Sequence, residues 1–324
     1  MTADTHIDGA LASGTVMSEV ARPENRDPHR FAPAFVAAPA RSHSSVIVTM
    51  LGQHPQLHSF PELILFRGEC VGDLLEMAAR DTLMPLKVKM AGLLRALAQE
   101  HEGMQSEESV ARALAWLQMR ADWPVADVFD HLLECAAPAT GVEKSPENTG
   151  RDDYLDRMNT AYPQARYLHL VRHPAASVKS MYQAWWPTNR WNVQAELFHQ
   201  FCLGIWYHQH SRILRFAGNL PESRYLRVRS EDIVNNPQET LPSVCRWLGI
   251  DDSPTAVDAM CHPEESAYAG RGPASAPCGN DPKFLDSPTL HPSPIPEELP
   301  LPAEWVIDPW NHLRILELAQ QFGY

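Results

Sequence analysis

Arg41-Ser42-His43-Ser44-Ser45 gathers one guanidinium and three hydroxyls into five residues, just before the hydrophobic stretch from Val46 to Leu51. Where a strand hands over to a helix, such a segment suits an anion. The first amides of the helix have no partner within it, and the helix dipole places partial positive charge there. The serines add donors and Arg41 adds a permanent cation. Ordinary capping explains the same residues, with Ser42 or Ser44 closing the helix and Arg41 in solvent. A second segment repeats the arrangement. Arg172-His173-Pro174 ends an apolar run, and Ser177 and Ser180 share a face of the helix that proline starts. A phosphate would fit between that guanidinium and a serine, although for this segment taken singly one surface arginine and two solvated serines are the better account. Two such segments in one chain imply a ligand with two separated anionic groups. Neither has the spacing of a Walker A loop or of a G-x-G-x-x-G dinucleotide turn.

Positioning both segments is the task of the elements around them. Phe35 to Ala38 reads as a short buried strand, followed by a helix from Val46 to Leu51 that Gly52 and His54-Pro55 stop. Tyr167 to Val171 is a second strand, leading into a helix from Ala175 to about Trp185, and Tyr225 to Val228 is a third. Thr240 to Leu248 is a helix ending at Gly249, and Leu74 to Leu133 has helical periodicity in several pieces. Strands alternating with helices predict an α/β fold with a mostly parallel central sheet flanked by helices. Open sheets of that kind bind ligands at the carboxyl ends of their strands. From Pro263 to Pro309 the chain is loaded with proline and reads as an irregular strap or lid, with a short helix near Trp310 to Phe322. The expected organisation is a flexible leader over 1–30, then one domain over 31–324 with a helical insertion at about 72–140.

Composition narrows the function. The 324 residues carry 27 Lys+Arg against 40 Asp+Glu, a net charge of −13, which argues against a nucleic-acid surface and requires any anion site to concentrate its cations. Six scattered cysteines without a C-x-x-C pair read as core thiols. His199, His208 and His210 fall on a predicted helix as core or surface residues, and no metal site is expected. No apolar run is long enough for a membrane span and the N-terminus lacks a signal-peptide stretch, so the expected compartment is the cytoplasm. Tyr182, Trp185, Trp186, Trp191, Trp206 and Tyr207 form an aromatic-rich region for which core packing is the simpler account of at least half.

Taken in order, these residues resemble the sulfotransferases that use 3′-phosphoadenosine 5′-phosphosulfate (PAPS). Ala40-Arg41-Ser42-His43-Ser44-Ser45 is similar to that family's P-R-S-G-T-T loop for the 5′-phosphosulfate, with His43 in place of the glycine. Arg172 and Ser180, within Leu170-Val171-Arg172-His173-Pro174, match its Arg and Ser for the 3′-phosphate. The segment from Leu226 to Ile233, with Asn236-Pro237 downstream, looks like its Y-E-D strand, and Ser230 replaces the tyrosine near the adenine. The R-K-G-x-x-G tail motif of the animal enzymes is missing, and Arg271-Gly272 is a partial counterpart. A closer likeness is to the sulfotransferase domains of polyketide and olefin-forming assembly lines. It rests on Phe60-Pro61-Glu62-Leu63, Lys144-Ser145-Pro146 and Asn280-Asp281-Pro282-Lys283-Phe284-Leu285.

The resemblance implies a P-loop-like fold and sulfuryl transfer from PAPS to a hydroxyl of a small, lipid- or polyketide-like acceptor, free or carrier-bound, in natural product biosynthesis. It gives Glu62 the role of base, Lys144 that of bridging the leaving phosphate, and Arg41 that of holding the phosphosulfate. It gives Arg41, Ser42, His43, Ser44, Ser45, Arg172, Ser180, Ser230 and Arg271 to PAPS and its product PAP, with no metal, and it suggests that residues in Tyr182 to Trp191 line the acceptor pocket. Read locally, Ser59 to Glu62 is equally a helix capping box, and Lys144, after a break at Gly141, a solvated loop lysine. Two rivals stay open: a P-loop kinase-type phosphotransferase, and a degenerate sulfotransferase fold acting as a binding module.

Overall fold

The computed structural model describes residues 25–80, 89–296, 301, 302, 305 and 309–324. Of the expected leader, residues 1–24 lie outside these, while Arg26 is held by Asp130 over 2.6 Å and by the Ala161 carbonyl over 2.8 Å. Five parallel strands form one sheet in the order β2-β3-β1-β4-β5. They are β1 Ala34–Ala37, β2 Leu57–Ser59, β3 Thr140–Glu143, β4 Arg166–Val171 and β5 Tyr225–Arg229. β1 is the middle strand and all four of its residues are buried. Parallel strands covered on both faces read as unbroken apolar runs, which is why β1 and β4 are legible in the sequence.

The two strands that were not expected are short and mixed. β2 is Leu-His-Ser and β3 is Thr-Gly-Val-Glu. Their pairing corrects two local readings. Ser59 lies in register with Val142 at the end of β2, so it is no helix cap and no capping box forms with Glu62; extended pairing overrides the local signal. Gly141 is inside β3 and not a break. A Cβ there would lie 2.2 Å from Leu133 Cδ2, so glycine admits the helix packed on the strand. β5 stops at Arg229, and Ser230–Asn235 is already helical.

After β1 the chain passes through α1 (Ser44–Leu51) towards the β2 edge; the described residues between β2 and β3 include the helices α2 Val71–Arg80, α3 Ala91–Glu102, α4 Glu107–Gln118 and α5 Val125–Ala136, and residues 81–88 of the expected helical insertion lie outside the described residues. After α6 (Asp152–Ala161) and β4 it passes through α7 (Pro174–Trp185) and α8 (Phe198–Ala217) towards β5. The connections leaving β1 and β4 therefore run in opposite directions. Their carboxyl ends border the crevice where an open α/β sheet holds its ligand. The proline-rich strap has only short helical turns from Pro263 to Pro296, its residues 297–300, 303, 304 and 306–308 lie outside the described residues, and Pro309–Gln321 forms the final helix. All six cysteines are free, but only Cys202 and Cys245 are buried. Among the described residues no helix is long and apolar enough to cross a membrane.

Candidate functional site

Arg41, His43 and Ser45, from the end of β1, and Arg172 and Ser180, from the end of β4, line one cavity of about 870 Å³. The two loops also touch directly. Arg172 Nη1 donates to the Arg41 carbonyl over 2.7 Å, and Arg41 Nε donates to Ser180 Oγ over 3.0 Å. The arginines thus converge on a single space.

The first loop owes its shape to backbone strain. Arg41 and His43 have φ values of 67° and 57°, a left-handed geometry that glycine adopts freely and other residues rarely do. His43, where the resembling family has glycine, holds that conformation anyway. Its Nδ1 lies 3.0 Å from Ser230 Oγ, and Ser230 is buried behind the loop and is not part of the cavity wall. Burial, then Arg172 and Arg41, push the His43 imidazole down to about 3, so it adds no charge at neutral pH. His43 is the N-cap of α1 and makes no side-chain capping bond. Neither Ser42 nor Ser44 caps the helix, and its first-turn amides have no side-chain partner.

Unmet donors cluster at both loops. Among the described residues Ser42 Oγ, Ser177 Oγ and Arg172 Nε are buried and have no partner, a condition that costs about 1–3 kcal/mol per group. Burial also brings the Arg172 guanidinium down to about 10, so it stays charged. Arg41 already holds one oxyanion, the carboxylate of Asp281 from the strap. An external anion at these loops would meet donors lacking partners and a guanidinium held by the Ser180 hydroxyl and by an exchangeable carboxylate.

A second cluster adjoins the first. Lys144, at the end of β3, is only 1% exposed, donates to Ser45 Oγ over 2.9 Å and pairs with Glu62. It is not a solvated loop lysine. Ser45 Oγ accepts a second bond, from the Asp281 amide over 3.0 Å, so its own proton is left to donate into the cavity. Burial raises the Glu62 carboxyl and the Lys144 ammonium opposes that rise. Glu62 sits where three segments meet. Its amide donates to the Gly279 carbonyl over 2.6 Å, and a Cβ on Gly92 of α3 would come within 2.0 Å of the Glu62 carbonyl oxygen.

Beneath the pair, Glu143 accepts from Asn148 Nδ2 over 3.1 Å and from Ser145 Oγ. Burial lifts its carboxyl from 4.5 up to about 7. A raised folded value means that its stabilising contribution is complete below the unfolded pKa and is lost as pH climbs through about 7. Melting temperature should therefore decline between about pH 5 and 8. Glu143→Gln should flatten that decline, because Asn148 Oδ1 has no partner and can turn to accept the new amide. An unchanged slope in thermal melts would assign it to another group.

With this geometry in place, comparison decides the family. The model of the "Sulfotransferase family" matches residues 33–254. The chain belongs to the Sulfotransferase family. Solved structures agree. It is similar to the sulfotransferase domain of the olefin synthase of Synechococcus PCC 7002, with 27% identity over 94% of this chain and 98% of that one and a TM-score of 0.70. It also shares the fold of the sulfotransferase domain from the curacin biosynthetic pathway, with 24% identity over 91% of this chain and 99% of that one and a TM-score of 0.73. No curated protein matches it.

This sulfotransferase brings Arg41, His43, Ser45, Arg172 and Ser180 to one cavity, with Glu62 and Lys144 beside it. Arg271 lies elsewhere, half-exposed and paired with Asp286. Lys179, Gln183 and Lys283 line the cavity and were not singled out. The signal for the first two was available, since Ala175, Lys179 and Gln183 are spaced by four and share the α7 face that carries Ser180's neighbours. None of Tyr182, Trp185, Trp186, Trp191, Trp206 and Tyr207 lines this cavity. His199 and Trp305, stacked with centroids 4.7 Å apart, do.

Proposed function

We propose that this sulfotransferase moves a sulfuryl group from PAPS to a hydroxyl of a small, lipid- or polyketide-like acceptor, giving PAP and a sulfate ester. The observation that carries the reading is the convergence of two strand-end arginine loops and a buried Lys144–Glu62 pair at one cavity. PAPS supplies a sulfuryl group activated by a phosphate leaving group. On this reading Arg41, the α1 amides and Ser45 hold the phosphosulfate, while Arg172, Ser177 and Ser180 hold the 3′-phosphate. Glu62 takes the acceptor's proton as the new S–O bond forms. Lys144 steadies the charge gathering on the departing phosphate oxygen. The likeness to an olefin synthase domain supports an acceptor with an apolar chain, free or carried on a protein.

The binding test uses PAP in thermal melts. Stabilisation by PAP without magnesium, and none by ATP with magnesium, is expected. The reverse pattern would favour a kinase-type phosphotransferase. Incubation with PAPS and hydroxylated lipids, read by mass for an added sulfate, then tests transfer. PAP binding with no transfer to any acceptor would favour a binding module.

A further inference from the structure

A second cavity, of about 470 Å³, adjoins the segment that carries Glu62. The pair contacts Ser45, which lines the nucleotide-side cavity. Leu63 and Ile64, which directly follow Glu62, line the second one, as does Glu147, whose charge acts on the Glu62 carboxyl. Its floor is apolar: Leu63, Leu74, Met77, Met90 and Leu93. Its polar wall is cationic, with Arg67, Lys89, Arg151 and Arg190 against the single carboxylate of Glu147. In a chain of net charge −13 this is a local inversion of sign.

The cations are not all spoken for. Lys89 is tied to the Ala78 carbonyl over 2.7 Å and Arg151 to Asp153 over 2.8 Å. Among the described residues neither Arg67 nor Arg190 has an ion pair, and Arg190 lies over the face of Trp191, 4.4 Å from the ring centroid. Glu147 Oε2, in contrast, is buried without a donor among the described residues. Between them, Ile64 has a φ of 54°, a conformation that β-branched residues adopt only where the surroundings impose it, commonly at ligand sites. The Ser145 hydroxyl, accepting from the Ile64 amide over 2.9 Å, helps to impose it.

We infer that this second cavity holds the acceptor, and that the acceptor is an amphiphile: a hydroxylated apolar chain ending in an anionic head group. The apolar floor takes the chain and Arg67 and Arg190 take the head. The carboxylates of Glu62 and Glu147 repel an anion and accept a hydroxyl proton, so charge alone orients the ligand with its hydroxyl towards the pair. The inference rests on Glu62 being the base, and its test avoids turnover so that the two fail separately.

The test is calorimetric binding of decanoate, decyl phosphate and decanol to the PAP-loaded protein. Both anions should bind about ten-fold more tightly than the alcohol, and the difference between them identifies a carboxylate or a phosphate head. In the variant carrying Arg67→Glu and Arg190→Glu, the advantage should vanish while the PAP-induced rise in melting temperature persists, showing that the fold and nucleotide side are intact. Equal binding of all three ligands, or an anion preference that survives the double charge reversal, would overturn the inference.

Discussion

Glu62→Gln should lower kcat by about 10²–10⁴-fold while PAP still stabilises the protein as it does the parent. The amide keeps the size of the side chain and its place beside Lys144, but it cannot take a proton from a hydroxyl. In the parent, burial holds the Glu62 carboxyl above its ordinary range against the pull of Lys144. The base form therefore accumulates as pH rises, and kcat/KM should climb with pH through a limb lying above the usual carboxylate titration. That limb should be missing from the residual activity of the variant. Steady-state rates across pH, with PAP melts alongside, read both effects. Turnover within a few-fold of the parent, with the limb retained, would remove Glu62 from the chemistry.

How much of this was legible depends on which forces fix each residue. Phe35 and Tyr167 lie on strands covered on both faces, so burial wrote apolar runs that a reader can find. The strand order follows from the connections of β1 and β4, and with it the meeting of Arg41 and Arg172. β2 was hidden because three residues with a central His58 carry no alternation. Its absence from the reading turned Ser59 and Glu62 into a helix cap, as the absence of β3 turned Gly141 into a break. The left-handed geometry of His43 is likewise invisible, because the side chain it meets there, Ser230, lies 187 positions away. Asp281 was readable as part of a motif, but its pairing with Arg41 joins residues 240 positions apart and no local pattern records it. The second cavity escaped for the same reason. Its cations come from four separate stretches of chain, each unremarked where it stands.

Lys144→Met should separate catalysis from structure. The substitution keeps the length of the stem and removes the charge that a residue only 1% exposed carries beneath Ser45. Loss of one preorganised cation at developing charge should lower kcat by about 10²–10³-fold. Glu62, deprived of its counter-ion, should titrate higher still, so the rising limb of the pH–rate profile moves to higher pH. Breaking a buried pair from one side costs up to about 3–5 kcal/mol, moderated here because the Glu62 side chain is 22% exposed and can protonate. Lys144→Met combined with Glu62→Gln leaves no unpaired charge, and its melting temperature should recover much of the loss. Activity should not recover. Turnover of Lys144→Met itself within a few-fold of the parent, read well below its melting temperature, would mean that the lysine serves the fold alone, and the charge on the leaving oxygen would have to be met by Arg41 and the α1 amides.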